Sequence, residues 1–251
     1  MRAHERVLAR IEADLAAGRW ALGERLPGER ALAAELGVSR PSVREAVRVL
    51  EAMGIVRTAV GSGPDAGATV VDRPAAGLGA AVRLHVASGT LPVGDVVATR
   101  AVLEVWAVGQ AAARSGDDGS SDGDLRELRE LLEAMRAPGL DGPELVALDQ
   151  DFHLALVRRC GNPLVEAILA GLRSAVGSYV VEGARRLPAW PEHAARLGEE
   201  HAQILAAVRA GDAAAAQERT RRHIWAFYEE TGLATADRAR HDGVRPDAPG
   251  T

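Results

Sequence analysis

Residues 36–46 read Leu36-Gly37-Val38-Ser39-Arg40-Pro41-Ser42-Val43-Arg44-Glu45-Ala46, and this stretch decides the fold of the amino-terminal part of the chain. Gly37 supplies a tight turn, Ser39 can cap the helix that follows, and Pro41 is tolerated in its first turn because the amide it lacks would be unpaired there. Arg40, Arg44 and Arg48 then recur every four residues and share one helix face, opposite the apolar stripe of Val43, Val47 and Leu50. A helix lying in a DNA major groove has this build: guanidiniums outward for base edges and phosphates, a packed apolar back. An isolated row of arginines is as compatible with a merely solvated face. The surroundings argue otherwise. Upstream, Val7, Leu8, Ile11 and Leu15 keep helical rhythm until Gly18, and Ala31, Leu32 and Leu36 mark a short second helix ending at Gly37. Downstream, Ile55 to Val60 and Ala68 to Val71 are β-rich segments separated by GSGPDAG, the pattern of a hairpin. Three helices and a hairpin predict a winged helix-turn-helix over residues 1–73.

The whole chain has 251 residues, no Lys, a formal charge of −5, 47% hydrophobic and 26% charged residues. That composition describes a globular protein of one large or two modest domains. One cysteine, Cys160, excludes an intramolecular disulfide framework, and a buried apolar role suits it. The start, MRAHERVLARIEADLAAG, is amphipathic and charged throughout, unlike a secretory signal, and unbroken apolar runs fall short of the roughly 20 residues of a membrane span. A cytoplasmic protein without membrane partners is expected. Net acidity disfavours nonspecific nucleic-acid binding, yet residues 1–73 carry a balance of +1 while the remainder carries −6.

From Pro74 onward, after the small-residue stretch AAGLGA, the pattern is helical almost throughout. Helices are expected near 77–88, 95–115, 122–136, 143–160, 163–186, 193–210 and 212–233, with SGDDGSSDGD as an exposed loop and Asn162 as a cap before Pro163. The fold class is therefore mainly α, an all-helical bundle of about seven helices over 74–235, followed by a tail, 236–251, too poor in apolar residues to order.

Within this bundle Asp149 and His153 lie four apart, so a carboxylate and an imidazole project from one helix face, and that pair can hold a divalent cation. His201 falls on the stripe of Ile204, Leu205 and Val208, and His223 on that of Ala216, Thr220 and Phe227. Each stands about ten residues from the turn at Gly211-Asp212, so an antiparallel helix pair would bring both to one level. Each histidine taken singly is more simply a hydrogen-bonded core residue; three with a carboxylate favour a metal. Asp151 points about 200° round the helix from Asp149 and makes a poor general base for a hydrolase. Tyr179, Trp190, Trp225 and Phe227 could wall a pocket or fill the core, and His85 and His193 are read as structural or surface residues.

The segment LPGERALAAELGVSRPSVREAVRVLEAMGIV, residues 26–56, closely resembles the DNA-binding domain of the GntR superfamily of bacterial transcription regulators, and the resemblance extends over about 4–72. It implies that Arg30, Ser39, Arg40, Ser42 and Arg44 contact double-stranded operator DNA and that Gly61 and Gly63 form the tip of a wing entering the minor groove. The wing departs from the family: Ala59 and Val60 stand where basic residues are usual, and Pro64-Asp65 is inserted. From about 77 to 233, the pattern D-x-x-F-H, then Gly161-Asn162-Pro163, E-H-x-x-I and R-R-H-I resembles the effector domain of the FadR branch, called FCD.

That resemblance implies one metal ion on Asp149, His153, His201 and His223, usually zinc, with nickel or manganese as alternatives. Four protein ligands would fill a tetrahedral zinc, whereas an octahedral ion would keep positions open for a small carboxylate effector. Arg100, in T-R-A-V-L-E, matches a position where the family's arginine faces the effector; the other reading is a salt bridge to Glu104. The function expected is a homodimeric, ligand-responsive transcription regulator, a repressor on a two-fold-symmetric operator, and not an enzyme. The alternatives are a regulator for which the metal itself is the signal and a metal-dependent hydrolase.

Overall fold

The computed structural model describes residues 2–59, 67–117, 125–187 and 190–232. The expected wing glycines Gly61 and Gly63, the inserted Pro64-Asp65, most of the SGDDGSSDGD loop and the expected disordered tail lie outside them. The chain forms two compact units, Met1–Leu78 and Gly79–Thr251.

In the first unit α1 (Ala3–Ala16), α2 (Glu29–Leu36) and α3 (Arg40–Ala52) precede an antiparallel hairpin of β1 (Val56–Ala59) and β2 (Gly67–Val70), paired Val56 to Val70. Gly37 ends α2 in the left-handed region, φ 61°, and Ser39 caps α3 by accepting from the Ser42 amide at 3.3 Å. The apolar stripes meet as expected: Val7, Ile11, Val43 and Ala46 have no exposed surface, and Leu32, Leu50, Val56 and Val70 close the core around them. This packing turns the opposite face of α3 to solvent.

The division between the units falls inside a helix, α4 (Pro74–Ala87), which starts a few residues before the expected 77 because Pro74 suits a helix's first turn. The second unit continues with α5 (Val93–Asp117), α6 (Arg126–Met135), α7 (Gly142–Arg158), α8 (Pro163–Arg186), α9 (Trp190–Arg209) and α10 (Ala213–Glu230). Capping fixes several starts. Asp141 and Glu144 form a capping box on α7, the Asn162 side chain accepts from the Leu164 and Val165 amides at 3.1 and 3.3 Å, and Asp212 accepts from Ala215 at 2.9 Å. The 25-residue α5 packs against α7, α8, α9 and α10.

By length and hydropathy α5 and α8 could each cross a membrane, but about half of either is buried against other helices. Both also carry buried charges, Arg100 and Glu104 on α5 and Arg173 on α8, so they are the core helices of a bundle. Cys160 is buried in an apolar cluster with Val157 and Leu169, as expected.

Candidate metal centre and nucleic-acid interface

The site in the second unit is assembled from five helices. α7 presents Asp149 and His153 one turn apart, α9 presents His201, α10 presents His223, α5 presents Arg100 and Glu104, and α8 presents Arg173. His153 and His201 have no exposed surface and His223 is 5% exposed. The turn at Gly211-Asp212 does bring His201 and His223 to one level: their ring centroids lie 4.4 Å apart.

The histidines are oriented from behind. His201 Nδ1 donates to the Leu197 carbonyl at 2.7 Å; a carbonyl only accepts, so the hydrogen is on Nδ1 and Nε2 carries a bare lone pair. His223 Nδ1 is bonded to Glu200 Oε2 at 2.7 Å, and His153 Nδ1 lies against Glu104 Oε1, which biases both rings the same way. All three Nε2 atoms then converge on Asp149 Oδ1, at 3.0 Å from His201 and 3.5 Å from His153 and His223. His201 Nε2 is also 3.3 Å from His153 Nε2. Lone pairs facing lone pairs at these distances repel unless a proton or a cation lies between them.

Protons alone serve unevenly. Burial and the neighbouring charge of His223 push His201 down to about 4. For His223, burial works downward but is outweighed by hydrogen bonds to Asp149 and Glu200, which lift it to about 9. Burial likewise works to raise Asp149, and the imidazoles hold it well below the usual carboxylate range. A divalent cation would satisfy all four groups together. Their ligating atoms lie within 4.8 Å of one another, a little beyond the roughly 4.0–4.3 Å that opposed N and O ligands on one ion would span. The donor set present, three imidazoles and a carboxylate, therefore fits a divalent metal ion.

Beside this cluster is a charge network that sequence reasoning saw only in part. Glu104 has no exposed surface and accepts from Arg100 Nε at 2.9 Å and from Arg173 at 2.5 Å. Burial acts to raise its carboxyl, but Arg173, His153 and Arg100 together hold it well below the carboxylate range. The salt bridge read as the alternative for Arg100 thus exists. Arg100 nevertheless also lines a small cavity of about 30 Å³, together with Asp149, His223, Tyr228, Trp190 and Phe227. Its Nη1 donates to the Tyr228 hydroxyl. Of the aromatics named from the sequence, Trp190 and Phe227 line this cavity, whereas Tyr179 packs against a neighbouring cluster and Trp225 borders an outer groove. His85 bonds Thr90 at 2.8 Å, and His193 joins Arg196 and Glu230, a group that Arg196 links to Glu200 at 3.7 Å.

In the first unit Arg30, Ser39, Arg40 and Arg44 are exposed and Ser42 is half-buried. Ser39 and Ser42 bond each other, Oγ to Oγ 2.9 Å, so both hydroxyls sit at the first turn of α3. Glu29, not singled out from the sequence, organises the arginines: Arg44 donates to it through Nε at 3.0 Å and Nη2 at 2.8 Å, and Arg40 lies 3.9 Å away. A planar guanidinium held bidentately on a carboxylate is kept extended along the helix face.

Residues 3–64 match the bacterial regulatory proteins of the gntR family, and residues 95–226 match the FCD domain. The HTH-type transcriptional regulator LutR of Bacillus subtilis is 29% identical over 207 residues, covering 80% of this chain and 89% of that protein. The Glc operon transcriptional activator of Escherichia coli is 28% identical over 227 residues, covering 88% of this chain and 85% of that protein. Among solved structures, a GntR protein of Streptococcus agalactiae superposes with a TM-score of 0.62 at 23% identity, covering 89% of this chain and 98% of that one, a likeness of fold.

Proposed function

The chain belongs to the gntR family of bacterial regulatory proteins and carries the FCD domain, and from that premise we propose that it is a homodimeric repressor whose FCD domain senses a small carboxylate beside a bound divalent metal. It is a ligand-responsive transcription regulator, not an enzyme; its matched relatives regulate transcription. The hydrolase alternative falls with that finding.

The observation that carries the effector reading is the cavity in which Asp149 and His223 meet Arg100 and Tyr228. Asp149, His153, His201 and His223 would hold the ion, which when bound supplies a Lewis-acidic positive centre for a carboxylate. The chain's own residues would do the rest: Arg100 offers its fork to the anion, Glu104 holds that guanidinium in place, and the buried imidazoles keep water from the back of the site. On the DNA side, Arg30, Ser39, Arg40, Ser42 and Arg44 are proposed to contact the operator, with Gly61 and Gly63 at the wing tip. Two recognition helices on a two-fold axis would read a palindromic site and compensate for a domain close to neutral. Such a protein works in the cytoplasm, where its operator is.

Effector release of DNA requires only that the acid prefer the conformation that binds DNA less well. The reading is tested on a duplex selected from random sequence with the purified protein, by titrating organic acids into the complex and following anisotropy. Repression predicts that an active acid lowers DNA affinity in the wild type and not in His153→Ala. An acid that tightens DNA binding reverses the sign to activation. DNA affinity that follows added Zn²⁺, Ni²⁺ or Mn²⁺ with no acid present makes the metal the signal.

A further inference from the structure

Two guanidiniums meet one carboxylate in the buried network beside the metal site, and these three charges do not balance among themselves. Glu104 gives Oε2 to Arg100 and Oε1 to Arg173, and the same Oε1 lies against His153 Nδ1. Arg100 alone would neutralise it. Arg173 is 2% exposed on the apolar helix α8, and a guanidinium taken out of water there requires a counter-charge of its own. Asp149 supplies that charge: its Oδ2 stands 3.7 Å from Arg173 Nη1, an ion pair somewhat longer than a hydrogen bond.

The two oxygens of Asp149 are therefore divided. Oδ1 faces the imidazoles, 3.0 Å from His201 Nε2 and 3.5 Å from those of His153 and His223, and Oδ2 faces Arg173. An ion among the three Nε2 atoms meets Oδ1. Turning Oδ2 onto the same ion would take the counter-charge from Arg173 Nη1, which, like its Nε, has no hydrogen-bond partner among the described residues. A buried cationic donor would then be left unpaired, at a cost to metal binding. One planar group thus steadies both ligands of α7, holding Asp149 directly and His153 through Glu104. The compact ammonium of a lysine could serve only one of the two carboxylates at a time.

We propose that Arg173 is a positioning residue of the metal site, committing Oδ2 of Asp149 so that the aspartate gives the ion a single oxygen and the site disfavours large, hard cations. Such ions take about six or more oxygens and often use carboxylates bidentately, whereas three imidazoles and one oxygen suit a compact, borderline ion. The proposal rests on the metal reading of Asp149, His153, His201 and His223 and adds a selectivity to it.

The test compares the Zn²⁺ and Mn²⁺ affinities of the full chain, stripped of metal, by competition with a chromogenic chelator in the wild type, Arg173→Lys and Arg173→Met. The preference for Zn²⁺ over Mn²⁺ is expected to fall about tenfold in both variants, the low end for a lost outer-shell partner, because the freed Oδ2 becomes a further oxygen for Mn²⁺. Bound Co²⁺ should report the same change as weaker visible bands, those of a higher coordination number. Arg173→Lys keeps the charge that faces Glu104 and so protects the fold. A lower urea midpoint of the metal-free variants, with the preference and the Co²⁺ spectrum unchanged, would make Arg173 a purely structural residue and overturn the proposal. A preference lost in Arg173→Met and fully restored in Arg173→Lys would overturn it too, since charge alone would then suffice. A crystal structure of the Zn²⁺-loaded wild type with both Asp149 oxygens on the ion would overturn it without recourse to a variant. Failure of the wild type to bind either ion would overturn the metal reading together with the proposal.

Discussion

Each of the three histidines has an oxygen beside Nδ1, hydrogen-bonded in His201 and His223 and in ion-pair contact without hydrogen-bond geometry in His153, and those neighbours differ in kind. Leu197 offers a carbonyl, Glu200 a part-exposed carboxylate and Glu104 a fully buried one. The difference separates two experiments. Glu200→Gln should leave folding nearly unchanged while lowering metal affinity by about tenfold, the low end for lost outer-sphere partners, measured by competition with a chromogenic chelator. Glu104→Gln removes the charge that compensates Arg100 and Arg173, and it should destabilise the second unit by roughly 3–5 kcal/mol in urea unfolding, as breaking a buried ion pair does. Equal effects of the two substitutions on stability would contradict the network. On the proposed DNA face, Glu29→Gln frees Arg44 and removes the negative charge paired with it, so nonspecific DNA affinity should rise while the ratio of specific to nonspecific binding falls.

The cluster of Asp149, His153, His201 and His223 was legible because each sits on an apolar stripe, where an imidazole or carboxylate is out of place. Glu104, Arg173 and Tyr228 were not read as site residues, although one signal was available: Arg173 is the sole charge in residues 167–181. A lone guanidinium in so apolar a helix needs a buried partner. Which helix supplies it depends on packing that periodicity does not encode.

At the scale of elements the sequence was most informative where backbone chemistry is local. Gly18, Gly37 and Gly211 mark ends that the structure closes with positive φ, and Ser39, Asn162 and Asp212 cap the helices that follow. Less legible was the support of the hairpin. Gly54 has φ 75°, and a Cβ there would run into the Arg73 carbonyl, a contact between residues far apart in sequence. Gly54→Ala should therefore lower the stability of the first unit by more than the roughly 1 kcal/mol of an ordinary left-handed position. Thermal unfolding of that unit reads the effect.

The hairpin is also tied to α3 by Glu51, which accepts from the Thr58 amide at 2.8 Å and from its hydroxyl. These bonds, the hydroxyl's above all, hold the Glu51 carboxyl below its usual range, against a small upward pull from burial. A carboxyl depressed in the folded state stabilises above its unfolded value and loses that contribution as the pH falls through the folded one. The gap in urea midpoint between wild type and Glu51→Gln should thus be full at pH 7, begin to shrink below about pH 4.3, and close at lower pH. A gap independent of pH would mean that the carboxylate's charge plays no part.

For the molecule as a whole, the division at Leu78 and Gly79 and the confinement of Asp149, His153, His201 and His223 to the second unit make stability separable. A metal that binds only the folded site adds its binding energy to that unit's stability, about 2.7 kcal/mol at a free concentration one hundredfold above Kd. The other unit gains nothing from it. Scanning calorimetry of the full chain should resolve two transitions, of which chelation by EDTA lowers one and Gly54→Ala lowers the other. Since the perturbations act on different units, each assigns its transition without cutting the chain. If EDTA and Gly54→Ala instead move a single transition together, the two units unfold as one cooperative body. Under the proposed function, an effector bound in the second unit would then stabilise α3 along with its own site, and loss of DNA affinity on binding would have to come from a change of conformation between folded states, without any loosening of the first unit.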